Sequence, residues 1–296
     1  MIDGRTQLVG LVGWPVEHSL SPVMHNAAFD ALGLNWRYVP LPVPPGQIEA
    51  AVYGLAALGF RGANVTVPHK QAVMSVAKAI GPSARALGAV NTLVFERHAD
   101  GTPGISGYNT DAKGFVGALR QGGFEPKEEG DAVVVGAGGA ARAVVHGLLR
   151  SGSGNITVLN RTLERAQALV AHLGRRPKDL ARLRALPLTP ETLIESSRAA
   201  RLLVNATMLG MWPHVEGSVW PDSAPIPAGM SVFDLVYNPL ETRLLRQARA
   251  SGARAIDGLG MLLRQGAIAF EMWTGEGPVS EIVALMRAAC ERALTI

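Results

Sequence analysis

Short apolar runs alternate with longer segments of helical period along most of the chain. Gln7 to Val12 reads as a strand, and Pro22 to Leu32 as a helix opened by Ser21 and Pro22. Trp36 to Leu41 reads as a second strand that ends in the proline-rich stretch Pro40 to Pro45. A helix over Gln47 to Leu58, a strand over Gly62 to Val67 and a helix opening after Pro68 continue the alternation. This order predicts an α/β unit. Two β-rich pieces, Ala89 to Phe95 and Gly104 to Tyr108, flank a turn at Asp100 and Gly101, and a helix follows from Asp111 to Gln121.

The run Gly122 to Gly130, with Pro126 and four charged residues, reads as a connection between domains. Beyond it the pattern restarts: the apolar strand Ala132 to Val135, a glycine cluster, a helix to Arg150 and the strand Asn155 to Leu159 form a βαβ unit. Further strands are expected at Leu202 to Asn205 and Ser231 to Leu235, and helices at Leu259 to Phe270 and Ser280 to Leu294. The arginine-rich piece Arg175 to Leu188 fits no element clearly. The last two helices either cap the second unit or return to the first, and periodicity does not choose between these.

With 296 residues, 48% hydrophobic and 18% charged, the chain suits two globular domains and neither a disordered nor a collagen-like class. The net charge of +4 raises the question of nucleic acid. The densest basic group, Arg175, Arg176, Lys178, Arg182 and Arg184, has no interleaved aromatic residues to stack on bases. It reads as a solvated face, and no nucleic-acid partner is expected. The single cysteine, Cys290, excludes an intrachain disulfide and the usual zinc patterns. His18, His25 and His69 lack a metal-ligand spacing and read as hydrogen-bonding loop residues, so no metal is expected. Met1 to Gly10 has no leader pattern and no long unbroken apolar run occurs, which makes the cytoplasm the expected location and a membrane partner unexpected.

The stretch Val133 to Arg142 matches G-x-G-x-x-A directly after a strand. Gly136 permits the tight turn, Gly138 removes a side chain that would block a pyrophosphate, and Ala141 lets the helix pack on the strand. The bare helix N-terminus offers N–H groups to phosphates. At the end of the next strand, where an NAD site carries a carboxylate for the ribose, the chain reads Asn160, Arg161, Thr162. Arg161 suits a 2′-phosphate instead, with Arg165 one helical turn beyond it. NADP is therefore favoured over NAD.

In the first half, polar residues gather where strands should end: His18 to Ser21, Asn64 to Lys70, Asn91 with Thr92, and Asn109 to Asp111. Ligands of α/β sheets sit at such ends, and hydroxyls, amides and a Lys/Asp pair suit a polyol bearing a carboxylate. Over nearly its whole length the chain resembles the shikimate dehydrogenase family. The resemblance rests on Gly13 to Asn26, Asn64 to Lys70, Gly88 to Thr92, Gly107 to Asp111, Gly136 to Arg142, Asn160 to Thr162, Asn205 to Thr207, Asp234 to Pro239 and Gly258 to Gln265.

The resemblance implies that Ser19 and Ser21 bind the shikimate carboxylate, and that Thr66, Asn91, Tyr237 and Gln265 contact or hold the ring. Lys70 and Asp111 would sit at the hydroxyl being oxidised. It further implies cofactor contacts from Gly136, Ala137, Gly138, Gly139, Ala140, Asn160, Arg161, Thr162, Arg165, Thr207, Leu235 and Gly258. Where some members carry an acidic residue twelve positions after the lysine, this chain has Pro82, which puts a contact there in doubt. The implied fold is α/β: an N-terminal substrate domain with a mainly parallel sheet and a Rossmann-like NADP-binding domain, with the active site in a cleft between them. The expected division is residues 1–110 for substrate binding and catalysis, 111–258 for NADP, and 259–296 returning to the first domain.

Oxidising a secondary alcohol requires loss of the O–H proton as hydride leaves carbon. A lysine is a poor base near neutrality unless burial lowers its pKa, and a neighbouring carboxylate raises it again. Lys70 and Asp111 are therefore read as one coupled unit, Lys70 stabilising the alkoxide and exchanging its proton while Asp111 orients it. The partners expected are a small molecule and NADP, for a monomer or homodimer. Two alternatives remain open: an NAD-dependent quinate/shikimate dehydrogenase, and a non-catalytic sensor of NADP or shikimate.

Overall fold

The computed structural model describes residues 2–97 and 102–294, and the turn read at Asp100 and Gly101 lies outside the described residues. The chain divides into two compact units, Met1–Thr110 with Leu263–Ile296, and Asp111–Leu262.

The first unit contains β1 (Gln7–Gly13), α1 (Ser21–Ala31), β2 (Trp36–Pro42), α2 (Ile48–Ala57), β3 (Gly62–Val65), β4 (Ala79–Ile80), α3 (Pro82–Leu87), β5 (Thr92–Arg97) and β6 (Pro103–Tyr108). They form one sheet in the order β2-β1-β3-β5-β6-β4. Pairings of β1 with β2 and β3, and of β4 with β6, are parallel, whereas β5 runs antiparallel to both its neighbours. In place of the α-helix expected after Pro68 there is only a 3₁₀ turn over Ala72–Ser75. The backbone there is turned back so that the Val90 N–H donates to the Lys70 carbonyl at 2.8 Å, which leaves no room for a longer helix.

One face of this sheet is sealed by α2 and its neighbours around Val12, Val52, Ala63, Val73 and Leu93. The other side belongs to aromatic residues of α1 and of the C-terminal part of the chain. Phe29 stacks on Phe270 with centroids 4.8 Å apart, and the Trp273 indole N–H donates to the Leu93 carbonyl at 2.9 Å. Gly62 makes this possible, since a Cβ there would lie 2.2 Å from the Trp273 Nε1. The final helix, α12 (Val279–Leu294), packs along α1. The helices that periodicity could not assign thus complete the first unit.

The second unit contains α4 (Asp111–Gln121), α5 (Pro126–Glu129), β7 (Ala132–Val135), α6 (Gly139–Ser151), β8 (Ile156–Asn160), α7 (Leu163–Leu173), α8 (Pro177–Leu180) and β9 (Leu183–Pro187). It continues through α9 (Pro190–Ser197), β10 (Leu202–Asn205), β11 (Ser231–Asp234), α10 (Arg243–Ala250), β12 (Arg254–Ile256) and the first turn of α11 (Leu259–Thr274). The unit ends at Leu262, four residues later than the boundary at 258 read from the sequence. Its sheet, β12-β11-β10-β7-β8-β9, is parallel at every pairing. That is the doubly wound dinucleotide-binding order, with its switch point between β7 and β10. The strands β7, β10 and β11 are buried at every position, as central strands of a parallel sheet must be. The unassigned arginine-rich piece supplies α8 and the edge strand β9, whose exposed Arg184 and Pro187 explain its weak apolar signal.

Candidate active site

In the first unit, the polar residues singled out by the sequence lie before α1, after β3, at the start of β5 and after β6. Ser19 and Ser21 bracket the N-terminus of α1, with the Ser21 N–H donating to the Ser19 Oγ at 3.2 Å. The Pro22 nitrogen carries no hydrogen and the Met24 N–H donates to the Leu20 carbonyl at 3.0 Å, so the Ser19 and Ser21 hydroxyls are the groups this turn offers to a carboxylate. Thr66 follows β3 and is tied to β1 by its N–H, which donates to the Val12 carbonyl at 2.9 Å. Gly13 lets it approach: a Cβ there would stand 2.3 Å from the Thr66 Cγ2.

Asn91 is the hub of this cluster. Its Nδ2 donates to the Thr110 Oγ1 at 2.9 Å and to the Gln265 Oε1 at 3.4 Å, and its Oδ1 accepts the Thr110 N–H at 2.9 Å. Gln265 on α11 is thereby brought to a residue 174 positions earlier. Lys70, half-buried, lies in the turn after β3 and is joined through its carbonyl to Val90, the neighbour of Asn91. Asp111 opens α4, is largely buried, and is covalently attached to Thr110. Pro82 begins α3 with no side-chain polar atom to offer.

A further polar layer lies beneath, and in it His69 is the hydrogen-bonding residue expected. Buried Asn64 donates to the Asn91 carbonyl and the Thr92 Oγ1, both at 3.2 Å, and accepts the Tyr38 O–H at 2.9 Å. His69 is hydrogen-bonded to the Val43 carbonyl at 2.7 Å. His25 departs from expectation: it lies inside α1, fully buried, stacked on Tyr38 with centroids 4.4 Å apart, and neither ring nitrogen has a hydrogen-bond partner among the described residues. Burial alone pushes its pKa down to about 3. Its spacing from Met24 and Phe29 on the apolar face of the helix was the available signal.

In the second unit, Gly136 has φ +115° and ends β7, and a Cβ on it would lie 2.9 Å from the Ala206 carbonyl oxygen. Gly138 and Gly139 open α6 without a side-chain cap, and a Cβ on either meets nothing within 4 Å. The protein itself has no steric need of glycine at these two positions. The cleared space in front of bare N–H groups fits a pyrophosphate, flanked by Ala137 and Ala140. At the end of β8, the Asn160 Nδ2 donates to the Thr162 carbonyl at 2.8 Å and shapes the turn. Arg161 and Arg165 are both exposed, and neither has an ion-pair partner among the described residues. Two uncommitted guanidinium groups at that strand end fit a 2′-phosphate.

Thr207 follows β10 and Leu235 follows β11, whose N–H donates to the Asn205 carbonyl at 3.0 Å. Gly258 is dictated by contact, since a Cβ on it would lie 2.3 Å from the Leu235 oxygen. Tyr237, half-buried, sits in the same loop as Leu235. Beneath these loops lies a second layer that the sequence reading left without a role, in which buried Asp234 binds Asn205 and Thr242. Burial raises the Asp234 pKa, and hydrogen bonds from Thr242, Val236 and Asn205 oppose it. A carboxylate closing an apolar strand was its sequence signal.

Three family models match the chain: the shikimate dehydrogenase substrate binding domain over residues 11–93, shikimate / quinate 5-dehydrogenase over 119–218, and the shikimate 5′-dehydrogenase C-terminal domain over 258–291. The shikimate dehydrogenase (NADP(+)) of Moorella thermoacetica is 48% identical over 292 residues, covering 97% of this chain and 95% of the relative. The shikimate 5-dehydrogenase of Thermus thermophilus, solved in complex with NADP(H) and shikimate, is 40% identical with a TM-score of 0.82, covering 96% of this chain and 100% of that one. The quinate dehydrogenase of Corynebacterium glutamicum in complex with NAD is 31% identical with a TM-score of 0.84, covering 96% and 99%.

Proposed function

Because this chain belongs to the shikimate dehydrogenase family, we propose that it catalyses the reversible NADP-dependent reduction of 3-dehydroshikimate to shikimate. It is an oxidoreductase acting on a secondary alcohol. The observation that carries the substrate reading is the bonded cluster of Asn91, Thr110 and Gln265, which assembles amides and a hydroxyl beside the Lys70 turn from distant parts of the chain. Such a set matches vicinal ring hydroxyls, while the Ser19 and Ser21 hydroxyls match the carboxylate, with Thr66 and Tyr237 completing the ring contacts.

When bound, the nicotinamide supplies the acceptor for hydride from the ring carbon and the donor in the reverse direction. In the oxidation the C–H bond breaks with its electron pair, and the hydroxyl proton passes to the Lys70 and Asp111 pair and on to solvent. In the reduction Lys70 stabilises the developing alkoxide and the pair returns the proton. Asn91 and Gln265 hold the ring, so that only the reacting hydroxyl faces Lys70. The second unit holds the pyrophosphate at Gly136 to Ala140 and the 2′-phosphate at Arg161, Thr162 and Arg165, with Asn160, Thr207, Leu235 and Gly258 lining the rest. The enzyme works on a dissolved small molecule in the cytoplasm, as a monomer or homodimer.

Shikimate with NADP+ is expected to generate NADPH absorbance, and no signal between neutral and moderately alkaline pH overturns the proposal. Lys70→Met is expected to lower kcat by about 10²–10⁴-fold while the folded protein still binds NADP+. The neighbouring quinate dehydrogenase bound to NAD makes one rival worth direct comparison. If quinate with NAD gives a higher kcat/KM than shikimate with NADP, the assignment is replaced by that one.

A further inference from the structure

Asp234 closes β11 with no exposed surface. Its Oδ1 accepts the Asn205 Nδ2–H at 2.9 Å and the Val236 backbone N–H at 3.1 Å, and its Oδ2 accepts the Thr242 O–H at 2.6 Å. The Leu209 carbonyl only accepts and takes the Asn205 Nδ2–H at 3.2 Å, while the Thr207 backbone N–H only donates. Asn205 is therefore held with its NH₂ toward Asp234 and Leu209 and its Oδ1 toward Thr207. There the Oδ1 accepts the Thr207 N–H at 3.1 Å and the Thr207 O–H at 2.7 Å. The Thr207 oxygen also accepts the Leu209 N–H at 3.1 Å. A threonine hydroxyl has one hydrogen and two lone pairs. With the hydrogen given to Asn205 and one lone pair to Leu209, Thr207 retains a single acceptor site.

The place of that acceptor follows from the sheet. A Cβ on Gly136 would lie 3.2 Å from the Thr207 Cγ2, so Thr207 stands beside the first glycine of the pyrophosphate turn. β7 lies between β8, which ends in Asn160 to Thr162, and β10, which leads to Thr207. With the phosphorylated ribose over β8, the other half of the dinucleotide runs over β10. A phosphoryl oxygen has no hydrogen to give. We infer that Thr207 accepts a hydrogen bond from the nicotinamide half of the cofactor, from its carboxamide N–H or a ribose O–H, and that Asn205 and Asp234 are positioning residues that set this polarity. The inference rests on the reading of the second unit as the NADP site.

The test compares calorimetric affinities of the full chain for NADP+ and for 2′,5′-ADP, which lacks the nicotinamide half. Thr207→Val is expected to weaken NADP+ about 3- to 10-fold, the worth of one hydrogen bond, and to leave 2′,5′-ADP unchanged; Thr207→Ser restores the affinity. Asp234→Ala is expected to reproduce that selective loss. Asp234→Asn is expected to avoid it, because its amide oxygen replaces Oδ1 and its NH₂ donates to the Thr242 oxygen. If Asp234→Ala does not fold, Asn205→Ala carries the same arm.

With an acetylpyridine analogue of NADP+, which has no carboxamide N–H, disappearance of the Thr207→Val effect supports the carboxamide as donor, and an undiminished effect supports the ribose hydroxyl. Equal losses for NADP+ and 2′,5′-ADP, or parental NADP+ binding by Thr207→Val when Arg161→Ala binds weakly, overturn the inference and leave the site reading standing. Parental binding by both Thr207→Val and Arg161→Ala overturns the site reading itself.

Discussion

The imidazole of His25 lies almost flat against the Tyr38 ring, 2° from parallel, with Phe29, Phe270 and Trp273 around it. Its buried nitrogens have no hydrogen-bond partner among the described residues, and its pKa is lowered to about 3 from 6.5 by burial. For a depressed histidine, the stability it contributes is present above the unfolded pKa and is lost as pH falls toward the folded one. His25→Phe keeps the aromatic packing and removes this dependence. Relative to the parent chain it is expected to gain about 2 kcal/mol on lowering the pH from 7 to 5, measured by urea unfolding at both values. An unchanged difference between the two pH values refutes the assignment. Cys290, equally buried in α12, has its thiol pushed up to about 11, consistent with a packing role. At this scale Gly136, Gly138, Arg161 and Lys70 were legible because each belongs to a local strand-end pattern. The burial of His25 had a signal in its helix face, but its stacking partners did not, because they are set by the fold.

The strand-turn-helix of β7 and α6 separates two uses of glycine. Gly136→Ala forces a side chain into a left-handed backbone against the Ala206 carbonyl, and is expected to cost about 1–3 kcal/mol of stability. Gly138→Ala has φ −86° and an open Cβ position, so thermal unfolding is expected to shift by less than about 0.5 kcal/mol. NADP+ affinity should nonetheless fall at least tenfold, because the new methyl enters the space cleared for the pyrophosphate. A Gly138→Ala protein that binds NADP+ normally contradicts the cofactor reading of this turn. Among the elements, β7 was visible as a continuous apolar run, and β10 and β11 as short apolar cores closed by Asn205 and Asp234. The edge strand β9 was obscured because exposed positions need no apolar residue, and the segment after Pro68 because its backbone bonds to the Val90 region rather than to itself.

Over the whole molecule, each unit has its own sheet and core, so a ligand should leave its mark on the unit that holds it. At a free concentration one hundred times Kd, a ligand stabilises its native state by about 2.7 kcal/mol. NADP+ is expected to slow hydrogen exchange in β7, β10 and the first turn of α6, and shikimate in β3, β5 and the start of α1. Protection by shikimate confined to the second unit contradicts the division of labour. The sequence alone determined the α/β class, the glycine turn, the missing carboxylate at the end of β8 and the polar strand ends, since these are properties of neighbouring residues and their period. Tertiary structure decided that Gln265 meets Asn91, that α12 packs on α1, and that Asp234 orients Asn205. The two side-chain pairs join residues 174 and 29 positions apart and the two helices begin at Ser21 and Val279; such pairings arise from strand order and side-chain packing, which no local pattern encodes.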